Sequence, residues 1–182
     1  MSSIVDIDPD GDLVLIVGSP DATVARFRVS RFALRLASPV WKAMFCGSFA
    51  EATAQEVKMP ADEPEAMRYV LLNVHLQFRK LPTSLRLKEI AQLAELCDKY
   101  DCISVVEDRM LSLLSKYDEN GIKSVQAAGH WMWIGWTLCK QSWFVKGLMF
   151  VVANSTVTRV TAMELLPPGS KGTFSSPKNS SN

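Results

Sequence analysis

Every strand-like run in this chain falls within its first sixty residues, and each is only five residues long. Leu13–Val17 is continuously apolar and stops at Gly18, Ala25–Val29 alternates apolar with basic side chains at period two, and Gln55–Met59 is a third such segment. Gly18-Ser-Pro-Asp21 is a turn-rich link between the first two. Beyond residue 60, apolar residues recur at helical spacing. Short strands followed by a run of helices give an α+β fold, here a small three-stranded sheet flanked by a helical cluster.

The helices announce their own starts. Ser30 is placed to cap a helix over 31–37, and Ser38-Pro39 starts another over 39–46. A serine hydroxyl accepts a free backbone N–H, and Pro39 sits where no N–H is needed. Asp62-Glu-Pro-Glu65 opens the next helix with a cap-like acid, and its inner face carries Ala66, Met67, Val70, Leu71 and Val74. After Leu81-Pro82, Leu87, Ile90, Ala91, Leu93, Ala94, Cys97 and Tyr100 make the clearest amphipathic helix. Ile103, Val106, Met110, Leu113 and Leu114 repeat the pattern, which Asp118-Glu-Asn-Gly121 ends.

A change of character after that stop divides the chain into 1–9, an N-terminal segment; 10–117, the α+β domain; 118–166, a Trp-rich helical extension; and 167–182, a disordered tail. Residues 122–166 hold every tryptophan but Trp41, and Lys123, Lys140, Lys146, Arg159 and Glu164 are their only charges. Helices this apolar all round must be covered. Residues 131–153, broken by Lys140, Gln141 and Lys146, read as a buried helix pair rather than a membrane span. Their aromatic residues read as the core of the extension, with a partner groove as the alternative. The tail, rich in Ser, Pro and Gly, buries too little apolar surface to offset the entropy of ordering.

Function classes are narrowed mainly by what the sequence lacks. A formal charge of +1 leaves phosphate-driven nucleic-acid binding without its basic excess. The two histidines, His75 and His130, sit in apolar helices without a nucleophile motif, and read as structural or surface residues. No phosphate loop, dinucleotide fingerprint, nucleophile elbow or zincin helix occurs. Cys97 and Cys102 have no second short-spaced pair to complete a zinc site, and Cys46 and Cys139 stand apart, so free, mostly buried thiols in a reducing compartment are expected. No cofactor, metal, membrane or small-molecule substrate is expected. The acidic start MSSIVDIDPDGD is unlike a secretory leader, which puts the chain inside the cell, cytoplasmic or nuclear, and makes the sequons at Asn154 and Asn179 chance matches. The basic cluster Arg79-Lys80 with Arg86 and Lys88 reads as a solvated edge, with an acidic partner as the alternative.

One ordered set of residues carries a family resemblance. Asp12-Leu-Val-Leu-Ile-Val17, Phe27-Arg-Val-Ser-Arg31, Leu34, Ser38-Pro-Val-Trp41, Met44-Phe45, Phe49, Glu63-Pro64 and Ala94-Glu-Leu-Cys-Asp-Lys-Tyr100 follow one another as in a BTB/POZ domain, which the chain resembles over residues 10–117. Trp131-Met-Trp133-Ile-Gly-Trp136 and Leu165-Leu-Pro-Pro-Gly169 are similar to the C-terminal helical extension of fungal BTB-domain proteins.

The resemblance implies a non-enzymatic protein–protein interaction module that forms homodimers, or heterodimers with other BTB domains. It assigns protein-binding roles to Asp12 and Arg31 at a charged pocket in the dimer seam, Leu34 and Trp41 near the seam, and Met44 and Phe45 on a partner-facing loop. Two departures matter. Ser30-Arg31 stands where the family has His-Lys. Met44-Phe45-Cys46 stands where cullin-recruiting relatives carry an apolar-any-Glu motif, which weakens the alternative of a cullin ubiquitin-ligase adaptor. A small enzyme assembled from dispersed residues is the alternative from another class.

Overall fold

The computed structural model describes residues 3–154 apart from 20, 22, 48, 119 and 120. The expected disordered tail at 167–182, the Leu165–Gly169 stretch and the Asn179 sequon lie outside the described residues, and the Asn154 sequon runs out of them after its first residue. The chain falls into two compact units that meet at Tyr117 and Asp118.

In the first unit, strands β1 (Ile4–Asp6), β2 (Leu13–Val17), β3 (Ala25–Val29) and β4 (Glu56–Met59) form one mixed sheet in the order β1-β3-β2-β4. The central pair β2 and β3 is antiparallel, with Leu15 opposite Phe27. β1 runs parallel to β3 and β4 parallel to β2. Three of these strands match the expected sheet; β1 is the correction. It is three residues long and exposed throughout, too short and too close to acids to show a period in sequence. At the β2–β3 turn Gly18 takes a φ of 104°, where a Cβ would run into the Thr23 carbonyl. Only glycine fits this turn.

Helices α1 (Arg31–Ala37) and α2 (Pro39–Cys46) begin where their serines predict. The Ser30 hydroxyl accepts from Ala33 N at 3.4 Å, and Ser38 accepts from Trp41 N at 3.0 Å. Helix α3 (Pro64–Val74) starts at its proline, but its acid does not cap it. Glu63 makes no side-chain capping bond, and the Asp62 carboxylate is drawn into the core. Beyond it, α4 (Leu87–Tyr100) buries Ile90, Ala91, Leu93, Ala94, Leu96, Cys97 and Tyr100. The segment expected as one helix after it is split, with a 3-10 turn at Ile103–Val105 ahead of α5 (Glu107–Leu114). Burial of Leu15, Phe27, Leu34, Trp41, Met67, Leu71, Ile90, Leu93 and Met110 makes one core between the sheet and these helices.

The second unit is a helical hairpin, α6 (Val125–Thr137) and α7 (Gln141–Asn154), with Ser124 capping α6 through Ala127 N at 3.1 Å. Ala128, Met132 and Val151 form its small core, with Ile122, Val125, Phe144, Leu148 and Phe150 packed around them. Trp131 meets Trp143 edge to face at 5.2 Å, and Trp136 meets Phe144 at 6.2 Å. At Gly147 a Cβ would stand 2.7 Å from both the Ala128 carbonyl oxygen and Met132, so the helices approach more closely there than any side chain allows. None of the helices, among the described residues, is long and apolar enough to cross a membrane.

Candidate functional site

The end of β3 and the start of α1 place a basic residue against an acid from the sheet. Arg31 N donates to Asp12 Oδ1 at 2.8 Å, and Arg31 Nε lies 3.4 Å from Asp12 Oδ2. The rest of the guanidinium turns into its own chain. It donates to the carbonyls of Glu51 at 2.8 Å, Ala52 at 3.3 Å and Ala54 at 2.5 Å, and lies 5.5 Å from the centre of the Phe45 ring. The side chain is only 13% exposed, so Arg31 acts as a strap that ties the segment between α2 and β4 to α1. Asp12, at 61%, is the open member of the pair.

The amide at the start of α1 is held from a third direction. Ser30 N donates to Nε2 of His75, while Nδ1 faces the Leu71 carbonyl oxygen at 2.8 Å, an arrangement met by the neutral ring with its proton on Nδ1. His75 is therefore a structural histidine joining α3 to the α1 cap.

The floor of α2 is fixed as firmly. Trp41 stacks on Tyr100 with centroids 4.9 Å apart, and Ser38 Oγ donates to the Tyr100 carbonyl oxygen at 2.5 Å. The Tyr100 hydroxyl donates to Asp62 Oδ2 at 2.5 Å, and Lys99 Nζ lies 2.5 Å from Oδ1 of the same carboxylate. Burial, and after it the Asp62 carboxylate, pushes the Tyr100 phenol far above the usual tyrosine range. Nearby, the hydrogen bond between the thiols of Cys97 and Cys102, followed by burial, raises Cys97 well above a free thiol. Protonated, enclosed sulfur of this kind is a core group, not a nucleophile; of the four thiols expected to be mostly buried, Cys46 and Cys139 are instead exposed, at the end of α2 and between α6 and α7.

The residues assigned by family resemblance thus divide. Asp12 and Arg31 do come together. Leu34 and Trp41 are fully buried at 0% exposure, because α1 and α2 turn these positions onto the sheet and α4. Neither offers surface to a partner. Phe45 is buried beneath Arg31, in the last turn of α2 rather than on an open loop, and Met44 is half-buried.

What the platform shows to solvent is a different set, missed in the sequence. Phe32 and Leu36, one turn apart on α1, are 70% and 79% exposed, and Val40 on α2 is partly exposed. Ile4 and Val5 of β1 are also open, and β1 runs parallel to β3 toward the end from which α1 starts. The signal was available: Leu34 must face the core, and positions two residues either side of it on a helix face away. Apolar residues held outward on a rigid, twice-capped helix pair are suited to binding by burial. Among the described residues no group of three His, Cys, Asp or Glu side chains is placed to hold a metal.

The model of the BTB/POZ domain family matches residues 10–116. Among solved structures, the BTB domain of zebrafish PATZ1 is similar to this chain at 19% identity, over 59% of this chain and 77% of that one, with a TM-score of 0.40. No curated protein matches the chain.

Proposed function

The chain belongs to the BTB/POZ domain family, and from that premise we propose that it is a non-enzymatic interaction module that self-associates through the exposed face of α1 and the start of α2. BTB/POZ domains are in general protein–protein interaction modules that mediate dimerisation. For this chain, the observation that supports the reading is the outward pair Phe32 and Leu36.

Full burial of one such side chain contributes about 1.5–3 kcal/mol. A two-fold seam buries the same patch on both copies, so Phe32 and Leu36 together supply roughly 6–12 kcal/mol gross. Association costs about 4–15 kcal/mol of lost freedom. Gain and cost are of the same size, so the pair offsets most of the cost of association, and the partly exposed Val40, Ile4 and Val5 add the remainder of a reversible seam. Asp12, half open beside the strapped Arg31, sets polar register at the edge rather than affinity.

Sedimentation velocity of the wild type beside the double variant Phe32→Asp/Leu36→Asp tests this. Both substitutions lie on exposed positions, so the fold survives and the associated species disappears. An unchanged distribution removes the proposed seam. Recruitment of a cullin rests on family membership alone: Phe45 lies inward under Arg31 and Cys46 stands in the glutamate position.

A further inference from the structure

Helix α3 ends in a turn whose chemistry is costly and whose product is an exposed leucine. Leu76 N donates to the Asn73 carbonyl oxygen at 3.0 Å and Gln77 N to that of Leu72 at 2.8 Å, the paired hydrogen bonds of a helix terminus that favours glycine in the left-handed region. Here Leu76 takes φ 57° and is 74% exposed. A branched side chain is strained in that region, and this one buries nothing in return. Two residues on, Phe78 is 56% exposed.

Beside this lip lies a cleft of about 370 Å³, lined by Asn73, Phe78, Leu81 and Val105 together with Asp108 and Arg109 of α5. Arg79 and Lys80 stand exposed on the turn that carries Phe78. No ion pair among the described residues engages either of them. Arg109 and Asp108 line the cleft itself, beside Phe78, Leu81, Val105 and two serines, and Arg79 and Lys80 follow Phe78 on the adjoining turn. Every lining residue belongs to the first unit, on elements other than α1 and α2.

We infer that this cleft, with its lip of Leu76 and Phe78 and its basic rim of Arg79, Lys80 and Arg109, docks an acidic protein segment that inserts an apolar side chain. The apolar lip disfavours a pure polyanion, because nucleic-acid backbones offer charge without an anchor for Leu76 and Phe78. The basic rim disfavours a second copy of this face, whose own bases would oppose it. An acidic segment with one or two large apolar residues satisfies both. The site does not depend on self-association through α1.

Fluorescence anisotropy with the full chain tests it, using three short labelled peptides: glutamate-rich with a central Leu-Phe, the same with lysine for glutamate, and glutamate-rich with serine for Leu-Phe. The first should bind, more weakly as salt is raised, and the other two should not. Arg79→Glu/Lys80→Glu should weaken binding about tenfold or more. Leu76→Gly should also weaken it while leaving the thermal midpoint equal or higher, since glycine relieves the turn; lost binding then cannot be lost folding. Phe32→Asp/Leu36→Asp should bind as the wild type does. The inference is overturned if the acidic Leu-Phe peptide does not bind, if the lysine peptide binds equally, if either rim variant leaves binding unchanged, or if a single-stranded oligonucleotide binds and the peptide does not.

Discussion

Replacing Arg31 by methionine should destabilise the first unit by about 2–4 kcal/mol, and should do so at every protein concentration. Methionine keeps most of the aliphatic stem and removes the guanidinium. Hydrogen bonds from a charged donor contribute about 1.5–3 kcal/mol each. Arg31 makes two close ones, to Glu51 at 2.8 Å and Ala54 at 2.5 Å, and a longer one to Ala52 at 3.3 Å. The carbonyls they satisfy lie on half-buried residues that regain some water when the donor leaves, which puts each close bond at the low end. The ion pair to Asp12, open on the acid's side, adds at most about 1 kcal/mol. Set against a typical total of about 5–15 kcal/mol, this is a large fraction. Urea denaturation at two protein concentrations, far apart, is the assay. A residue whose role lay in a dimer seam would show its loss only where the dimer forms; a strap within one copy loses the same amount at both. Arg31→Lys should fall between, because one ammonium cannot span three carbonyls. Arg35→Met, one turn on and exposed, should stay within about 0.5 kcal/mol of wild type. If Arg31→Met matched Arg35→Met, or if its effect vanished on dilution, the strap would be refuted.

Two further predictions concern the core. Tyr100→Phe leaves the enclosed Asp62 carboxylate with Lys99 alone, at about 1.5–3 kcal/mol by urea denaturation at neutral pH. The folded phenol's pKa lies above its unfolded value, so its stabilisation is intact below about pH 10 and fades above it; a urea midpoint followed from pH 8 upward should fall less steeply in Tyr100→Phe, and parallel curves would contradict the assignment. Gly147→Val pushes a side chain into the Ala128 carbonyl and Met132, and should cost the α6–α7 hairpin about 1–3 kcal/mol, seen as earlier loss of tryptophan fluorescence change on heating; an unaltered melt would show that the helices do not approach so closely.

The parts of this structure legible in sequence are those governed by neighbours in the chain. Ser30 and Ser38 act on amides three residues away, and both helix starts were read correctly. The strands β2, β3 and β4 carry their own apolar patterns. Asp62 has the residue type and the place of a helix cap, and only the folded chain brings Lys99 and Tyr100 to it and draws it inward. Arg31 meets Asp12, a pairing the family resemblance implies, but three of its other partners are carbonyls, which no sequence pattern marks. Leu34 and Trp41 carried the family pattern because they are core; the exposed faces beside them, Phe32 and Leu36, have no motif at all. The strained Leu76 turn was hidden for a related reason, since its only sequence signal is the glycine missing after α3.

The central claim is that the open face of α1 joins two copies of this chain, and light scattering across a concentration series measures it most directly. The account predicts a mass that rises from 20.2 kDa toward twice that value as concentration increases. A mass that stays at one chain throughout would contradict it.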